Sequence, residues 1–165
     1  MEIVMPLFYN YGDLSNTSVR VFLYHAGLAY DQRLGNQPLK SKGNVNLHKV
    51  QALSFQRECC FYCNTPFSDA NKPERDHVIP MKKETGGMHC WGNVLYCCRT
   101  CNVDKDKFAG DWKEFLISKS KMEDYKIWSE KYGNDEELSN IHAEECKQIY
   151  SELDTYMRNK VRDLL

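Results

Sequence analysis

Apolar residues recur at helical spacing towards both ends of the chain and form short β-like runs in the middle. Near the N-terminus, residues suited to a helix N-cap precede apolar positions three and four apart, which predicts a helix over residues 15–29. A second helix is predicted over residues 46–58, where apolar residues share one face. Towards the C-terminus, residues 111–132 begin at an aspartate suited to capping and stop before Gly133, which predicts one long helix. A last helix is predicted over residues 135–165.

The middle of the chain has a different pattern. Two β-like runs, at residues 76–80 and 93–97, flank a turn-rich stretch that contains Gly86 and Gly87. After Thr100 the pattern is helical again. The predicted order is therefore strand, loop, strand and helix, with further helices on both sides.

Composition narrows the class of protein. Apolar residues make up 42% of the chain and charged residues 27%, which is typical of globular proteins rather than disordered ones. The first ten residues lack a basic region followed by an apolar run, so we expect no signal peptide and a cytoplasmic location. The net charge of −1 excludes a globally basic nucleic-acid binder. Residues 72–113 carry eight basic and six acidic groups, so any such affinity must come from a local patch.

Cysteine is the most informative residue type. Of the eight cysteines, seven lie between positions 59 and 101, and in a reducing compartment such clusters bind metal more often than they form disulfides. Two C-x2-C pairs stand out: Cys60 with Cys63, and Cys98 with Cys101. Each pair can place both sulfurs on one tetrahedral ion at about 2.3 Å. Four thiolates leave no position for water, which predicts a structural Zn²⁺.

The cysteine register has an alternative. Cys59 and Cys97 directly precede the two pairs, so three-residue spacings also exist. The two-residue spacing makes the better metal knuckle and is the one predicted. Cys59 and Cys97 are then buried or neighbouring thiols, and Cys90 and Cys146 are ordinary structural thiols.

The segment between the two pairs carries a recognisable order of motifs. It contains RDHVIP at residues 75–80, Gly86-Gly87, GNVL at residues 92–95, and finally Cys98-x2-Cys101-Asn102-x2-Lys105. This order closely resembles the HNH nuclease family, whose motif is written C-x2-C … D-H-[IV]-x-P … G-G … N-[LV] … C-x2-C-[HN]-x-x-K. The resemblance covers Cys60 to about Lys107, under a third of the chain.

The resemblance implies a fold and a division of the chain. The fold class would be α+β, with a ββα-metal, treble-clef-like zinc core flanked by N-terminal and C-terminal helices. Residues 1–58 would be an N-terminal helical region and residues 59–110 the nuclease core. Residues 111–165 would be helices packed on the core or at a dimer interface.

The resemblance also implies residue roles. His77 would be the general base that activates water, which suits a side chain that titrates near neutral pH. Asp76 and Asn102 would be ligands of a catalytic divalent ion. Asn93 would hold the loop between the strands and so orient the histidine. Because an Asn carbonyl is a hard oxygen donor, this H-N-N variant favours Mg²⁺ or Mn²⁺.

Double-stranded DNA is the implied partner, and a homodimer is expected if both strands are cut. The candidate nucleic-acid contacts are Lys82, Lys83, Arg99, Lys105 and Lys107. His89, in the loop beside Cys90, is expected to be a solvated histidine.

The sequence raises three candidate functions. The leading one is a metal-dependent endonuclease that hydrolyses DNA phosphodiester bonds, with a sequence-specific restriction-type enzyme as the favoured role. The alternative is a non-catalytic treble-clef zinc module that binds nucleic acid or protein, which would have no need of Asp76, His77 and Asn102 together. A zinc deaminase requires H-x-E and later P-C-x-x-C; here Ile79 stands two residues after the histidine and no proline precedes either cysteine pair.

Overall fold

The structure is a computed structural model that describes residues 11–36, 39, 58–133 and 136–163. These residues form five helices and a two-stranded sheet, an α+β arrangement. The elements are α1 (Tyr11–Arg33), β1 (Glu74–His77), β2 (Val94–Cys97), α2 (Arg99–Asp106), α3 (Trp112–Ser118), α4 (Met122–Lys131) and α5 (Glu136–Arg162).

The central unit is the predicted strand, loop, strand and helix. β1 and β2 pair antiparallel, with Asp76 opposite Leu95 and His77 opposite Val94. α2 begins one residue after β2, with Cys98 as its N-cap, and packs back against β1. The predicted ββα core flanked by helices is therefore confirmed.

Most predicted elements form, with shifted ends. The helix predicted over residues 15–29 is longer at both ends, and α5 covers most of residues 135–165. The first strand begins two residues earlier than predicted and ends at His77, because the following residues bend to bond the side chain of Asn93. The helix predicted over residues 46–58 lies, except for its last residue, outside the described residues. No helix among the described residues is both long and apolar enough to cross a membrane.

The single long helix predicted over residues 111–132 is wrong. Asp111 does cap α3, as predicted, but the chain leaves the helix at Ser120, whose φ is +55°. The Lys121 amide donates to the Leu116 carbonyl at 2.8 Å, closing a Schellman-type turn before α4 begins. The break lets buried residues of both short helices reach one core, which a straight helix could not do.

The main core is built around the predicted metal knuckles. Phe115 of α3 and Trp128 of α4 are almost fully buried against the cysteine-bearing segments. The Trp128 indole donates to the Trp91 carbonyl at 3.0 Å, which satisfies its one polar group. α3 and α4 therefore pack against the ββα unit and cover part of its core.

α1 and α5 form a second layer. They pack on each other through Val19, Leu23 and Cys146, all nearly inaccessible to solvent. α5 also touches the loop between the strands: a Cβ at Gly86, where φ is +62°, would lie 2.0 Å from the Ser139 carbonyl oxygen. This contact requires glycine, so α5 positions the loop that leads into the site.

Asp31 is a buried carboxylate near the end of α1. Its Oδ1 accepts the Trp91 amide at 3.2 Å, while Oδ2 has no hydrogen-bond partner among the described residues. Burial raises the pKa of Asp31 from 3.8 to about 6, outweighing hydrogen bonds from the backbone of Trp91 and Leu39 and the side chain of Asn36. Because the pKa of Asp31 is higher in the folded state than in the unfolded state, ionisation of Asp31 lowers the free energy of unfolding as pH rises from about 4 to above 6.

We therefore expect Asp31→Asn to stabilise the protein at pH 7.5, by about 1–2 kcal/mol. Asparagine keeps the acceptor for Trp91 and removes the buried charge. The increase in the free energy of unfolding should be smaller by about 1 kcal/mol at pH 5, because Asp31 in the unaltered folded protein is then mostly protonated. Urea unfolding at both pH values measures it, with exposed Asp69→Asn as the control. An equal gain at both pH values would contradict this explanation.

Candidate active site and metal centre

Four cysteine sulfurs converge at the base of the ββα unit. The sulfurs of Cys60, Cys63, Cys98 and Cys101 all lie within 4.8 Å of one another. The Cys63 and Cys98 sulfurs are 3.8 Å apart, close to the separation of about 3.8 Å that two 2.3 Å bonds make at a tetrahedral ion. The four cysteines are thus positioned to bind a metal ion such as zinc.

Local backbone geometry aims these sulfurs. The Cys60 carbonyl accepts the Asn64 amide at 2.9 Å, which closes a turn around the first pair. At the start of α2, the Cys98 sulfur accepts the Cys101 amide at 3.5 Å. Cys59 and Cys97 do not join the group, so the sulfurs that meet are those with the two-residue spacing.

The pKa shifts of the clustered thiols are those of a site that needs a bound cation to hold four thiolates together. Burial, followed by the neighbouring sulfurs, raises the pKa of Cys101, and burial raises that of Cys60. At Cys63 burial acts in the same direction, but hydrogen bonds with Thr65, whose hydroxyl oxygen lies 3.1 Å from the sulfur, lower the pKa to about 6. A divalent cation would offset the raised values and hold all four groups as thiolates.

A cleft of about 470 Å³ opens beside β1. Its walls come from β1, α2, the loop after β1 and the start of α3, and α1 contributes Arg20. Five of the predicted site residues line it: Asp76, His77, Lys82, Asn102 and Lys105.

Asp76 is held by two donors. Its Oδ2 accepts from the Tyr62 hydroxyl and from the Lys105 ammonium, the latter at 2.7 Å. Lys105 also donates to the His77 carbonyl at 2.5 Å, and its side chain is only 8% exposed. Lys105 therefore contacts Asp76 and the His77 backbone instead of projecting from an open helix face.

The expectation that His77 titrates near neutral pH is wrong, and its ring is neutral in this environment. Burial, together with the neighbouring His89, lowers the pKa of His77 to about 3. Its Nε2 lies 2.9 Å from Nδ1 of His89. A neutral ring keeps one nitrogen lone pair, which a base requires.

The prediction that His89 is solvated is wrong. His89 is only 5% exposed, and burial lowers its pKa to about 4. No local sequence signal could reveal this, because the burial comes from α1, more than fifty residues away in the chain.

Asn93 ties the loop between the strands together. It is fully buried, and its Oδ1 accepts the Ile79 amide at 2.7 Å. Its Nδ2 donates to the carbonyls of Ile79 and Met88 at 2.9 and 2.8 Å. These three bonds join the beginning and the end of the loop directly behind His77.

Asn102 faces β1 from the first turns of α2. Its Nδ2 donates to the Glu74 carboxylate at 2.8 Å, and this partner was not predicted from the sequence. This hydrogen bond uses the amide nitrogen of Asn102 and leaves its amide oxygen available as a metal ligand. With Asp76, the donor set consists of oxygen atoms, which fits Mg²⁺ or Mn²⁺ better than a soft ion.

Residues 60–111 match the model of a protein family described as HNH endonuclease. The resemblance to the HNH family is confirmed over this segment. Comparison with curated proteins and with solved structures finds no significant match. The match supports a nuclease type of function in general.

The HNH segment, residues 60–111, contains every predicted catalytic and metal-binding residue. α1 and α5 lie outside it yet touch its loop between the strands. The cleft itself is lined mainly by the HNH segment, with Arg20 of α1 and with Trp112 and Phe115 of α3.

Basic residues around the cleft differ in their surroundings. Lys82 is exposed at its edge, whereas Lys83 pairs with Glu84 at 2.7 Å. Arg99 and Lys107 are exposed on α2 and just after it, away from the cleft lining. Two basic residues of the cleft, Arg20 and Arg75, were not among the predicted contacts. Arg75 stands beside Asp76 and could have been found; Arg20 depends on the packing of α1.

Proposed function

We propose that the protein is a metal-dependent endonuclease that hydrolyses DNA phosphodiester bonds. The observation that carries this proposal is that Asp76, His77 and Asn102 line one cleft inside a segment that matches the HNH family. A structural Zn²⁺ on Cys60, Cys63, Cys98 and Cys101, and a catalytic Mg²⁺ or Mn²⁺ held by Asp76 and Asn102, are part of the proposal.

The residues of the cleft have distinct tasks in this reaction. His77 takes the proton from the attacking water through the lone pair that its neutral ring retains. Asn93 keeps the backbone behind His77 in place through its three loop bonds. An ion on Asp76 and Asn102 would supply Lewis acidity towards the phosphate and the leaving oxygen.

Basic side chains provide the charge that a phosphodiester needs. Arg20, Arg75 and Lys82 line the cleft and can contact phosphate oxygens. Lys105 lies deeper and aligns Asp76 with the His77 carbonyl through its two bonds. Arg99, Lys83 and Lys107 would contact DNA further from the reacting phosphate.

The rival function is a non-catalytic zinc module that binds nucleic acid or protein. One observation favours it: Oδ2 of Asp76 is already paired with Lys105 and bonded by Tyr62. In that case Asp76 would be structural and no divalent ion would bind beside it.

The biological role follows by analogy with the family. A compact chain with helices on both sides of the nuclease unit fits a restriction-type, cytoplasmic enzyme acting on double-stranded DNA. One ββα unit holds one catalytic centre, so a homodimer would be needed to present a centre to each strand of a palindrome.

The test is incubation of the purified protein with supercoiled plasmid in Mg²⁺, Mn²⁺ or EDTA. We expect cleavage with either ion and none in EDTA, with zinc content measured before and after each reaction. Discrete fragments indicate sequence-specific cutting, and a smear indicates a non-specific nuclease. An intact plasmid with every ion, from zinc-loaded protein that still binds DNA, would contradict the proposal and favour the binding module.

A further inference from the structure

The nitrogen of His77 that meets His89 cannot also meet water. His77 Nε2 and His89 Nδ1 are 2.9 Å apart, with ring centroids 5.2 Å apart and an angle of 49° between the planes. A neutral imidazole carries one N–H and one lone pair. If Nε2 holds the proton and donates it to His89, Nδ1 of His77 keeps the lone pair and can accept a proton from water. The opposite tautomer would direct the lone pair at His89 and leave no base.

His89 is held rigidly by α1. A Cβ on Gly27 would lie 2.3 Å from the His89 carbonyl oxygen, so only glycine permits this approach of helix to loop. The His89 amide donates to the Leu23 carbonyl at 3.3 Å. The Tyr24 ring lies against the imidazole at a centroid distance of 4.8 Å.

The contact requires one proton position on His89. For Nδ1 of His89 to accept from His77, the proton of the His89 ring must lie on Nε2, a buried atom with no hydrogen-bond partner among the described residues. With that proton on Nε2, Nδ1 of His89 is an acceptor directed at His77. The pair then has a single consistent direction: His77 donates and His89 accepts.

We propose that His89, braced by α1, is a positioning residue that holds His77 in the tautomer with its proton on Nε2 and its Nδ1 lone pair free. This role rests on the proposed nuclease function, since it concerns the same base. It makes α1, which lies outside the HNH segment, a part of the catalytic unit. It also gives a reason for the burial of His89, since an acceptor for His77 must be a neutral imidazole.

Two substitutions at position 89 separate this role from simple packing. His89→Leu fills a similar volume without an acceptor, whereas His89→Asn places an oxygen near the position of Nδ1. We expect His89→Leu to lower kcat by about 10- to 100-fold, the usual effect of losing a partner that orients a functional histidine. KM for DNA should stay within about twofold, because no phosphate contact changes. His89→Asn should recover most of kcat.

The matched control is His142→Leu. His142 is a partly buried histidine on α5 that touches an α1 aromatic ring, Phe22, but does not line the cleft. It should leave kcat unchanged. If His89→Asn is as impaired as His89→Leu while both stay folded and zinc-loaded, the acceptor role is wrong and His89 only fills space.

A measurement without DNA decides the tautomer directly. ¹⁵N NMR of histidine-labelled protein, with the His77 signals assigned from a His77→Gln variant, should show the proton of His77 on Nε2. In His89→Leu the signals should shift towards a mixture of tautomers. A His77 proton on Nδ1 in the unaltered protein would overturn the proposal. Because this readout needs no cleavage, an inactive protein with the expected tautomer would refute the nuclease function and leave the positioning contact standing.

Discussion

Replacing Cys101 with serine should leave the protein unfolded or insoluble. The loss of one thiolate opens the coordination shell, and a structural Zn²⁺ contributes on the order of 10–16 kcal/mol to folding. That is comparable to the whole free energy of unfolding of most domains, about 5–15 kcal/mol. Cys101 is also a buried member of the main core, which includes Phe115 and Trp128. Soluble yield, zinc content and circular dichroism measure the effect.

The control for this experiment is Cys59→Ser. Cys59 is partly buried and precedes the first ligand directly, but it lies outside the four-sulfur group. The Cys59→Ser protein should fold and bind one zinc ion per chain. Equal damage from Cys59→Ser would mean that the ligand register is the three-residue one.

Replacing His77 with alanine should abolish most DNA cleavage while the protein stays folded. The expected loss is about 10²–10⁴-fold in single-turnover rate, the contribution of a general base. The cysteine cluster, Asn93 and the basic cleft residues are untouched, so zinc content and DNA affinity should stay near those of the unaltered protein. Exposed His25→Ala should cleave at the normal rate.

Metal-ligand variants should behave differently from the base variant. Asp76→Ala or Asn102→Ala should raise the Mg²⁺ concentration needed for cleavage, and added metal should restore part of the rate. His77→Ala should not respond to added metal. A folded His77→Ala protein that cleaves at the normal rate would remove His77 as the base of the mechanism.

Short-range patterns identified the central unit well. A C-x2-C spacing turns two sulfurs to one side within a single turn, and both knuckles form where the spacing places them. Asp111 caps a helix because capping depends only on residues three positions apart. The helix break at Ser120 was missed because it depends on where the buried faces of α3 and α4 must pack.

The sequence by itself determined the fold class, the four cysteines positioned to bind a metal ion and the family that the central segment matches, because each depends on spacing within a few residues or on the order of motifs. Only the tertiary structure decided the surroundings of the site. Lys105 reaches Asp76 across 29 positions, and α1 buries His89 from outside the HNH segment. Those contacts depend on how separate elements pack, and the burial that lowers the pKa of both histidines exists only once they have packed.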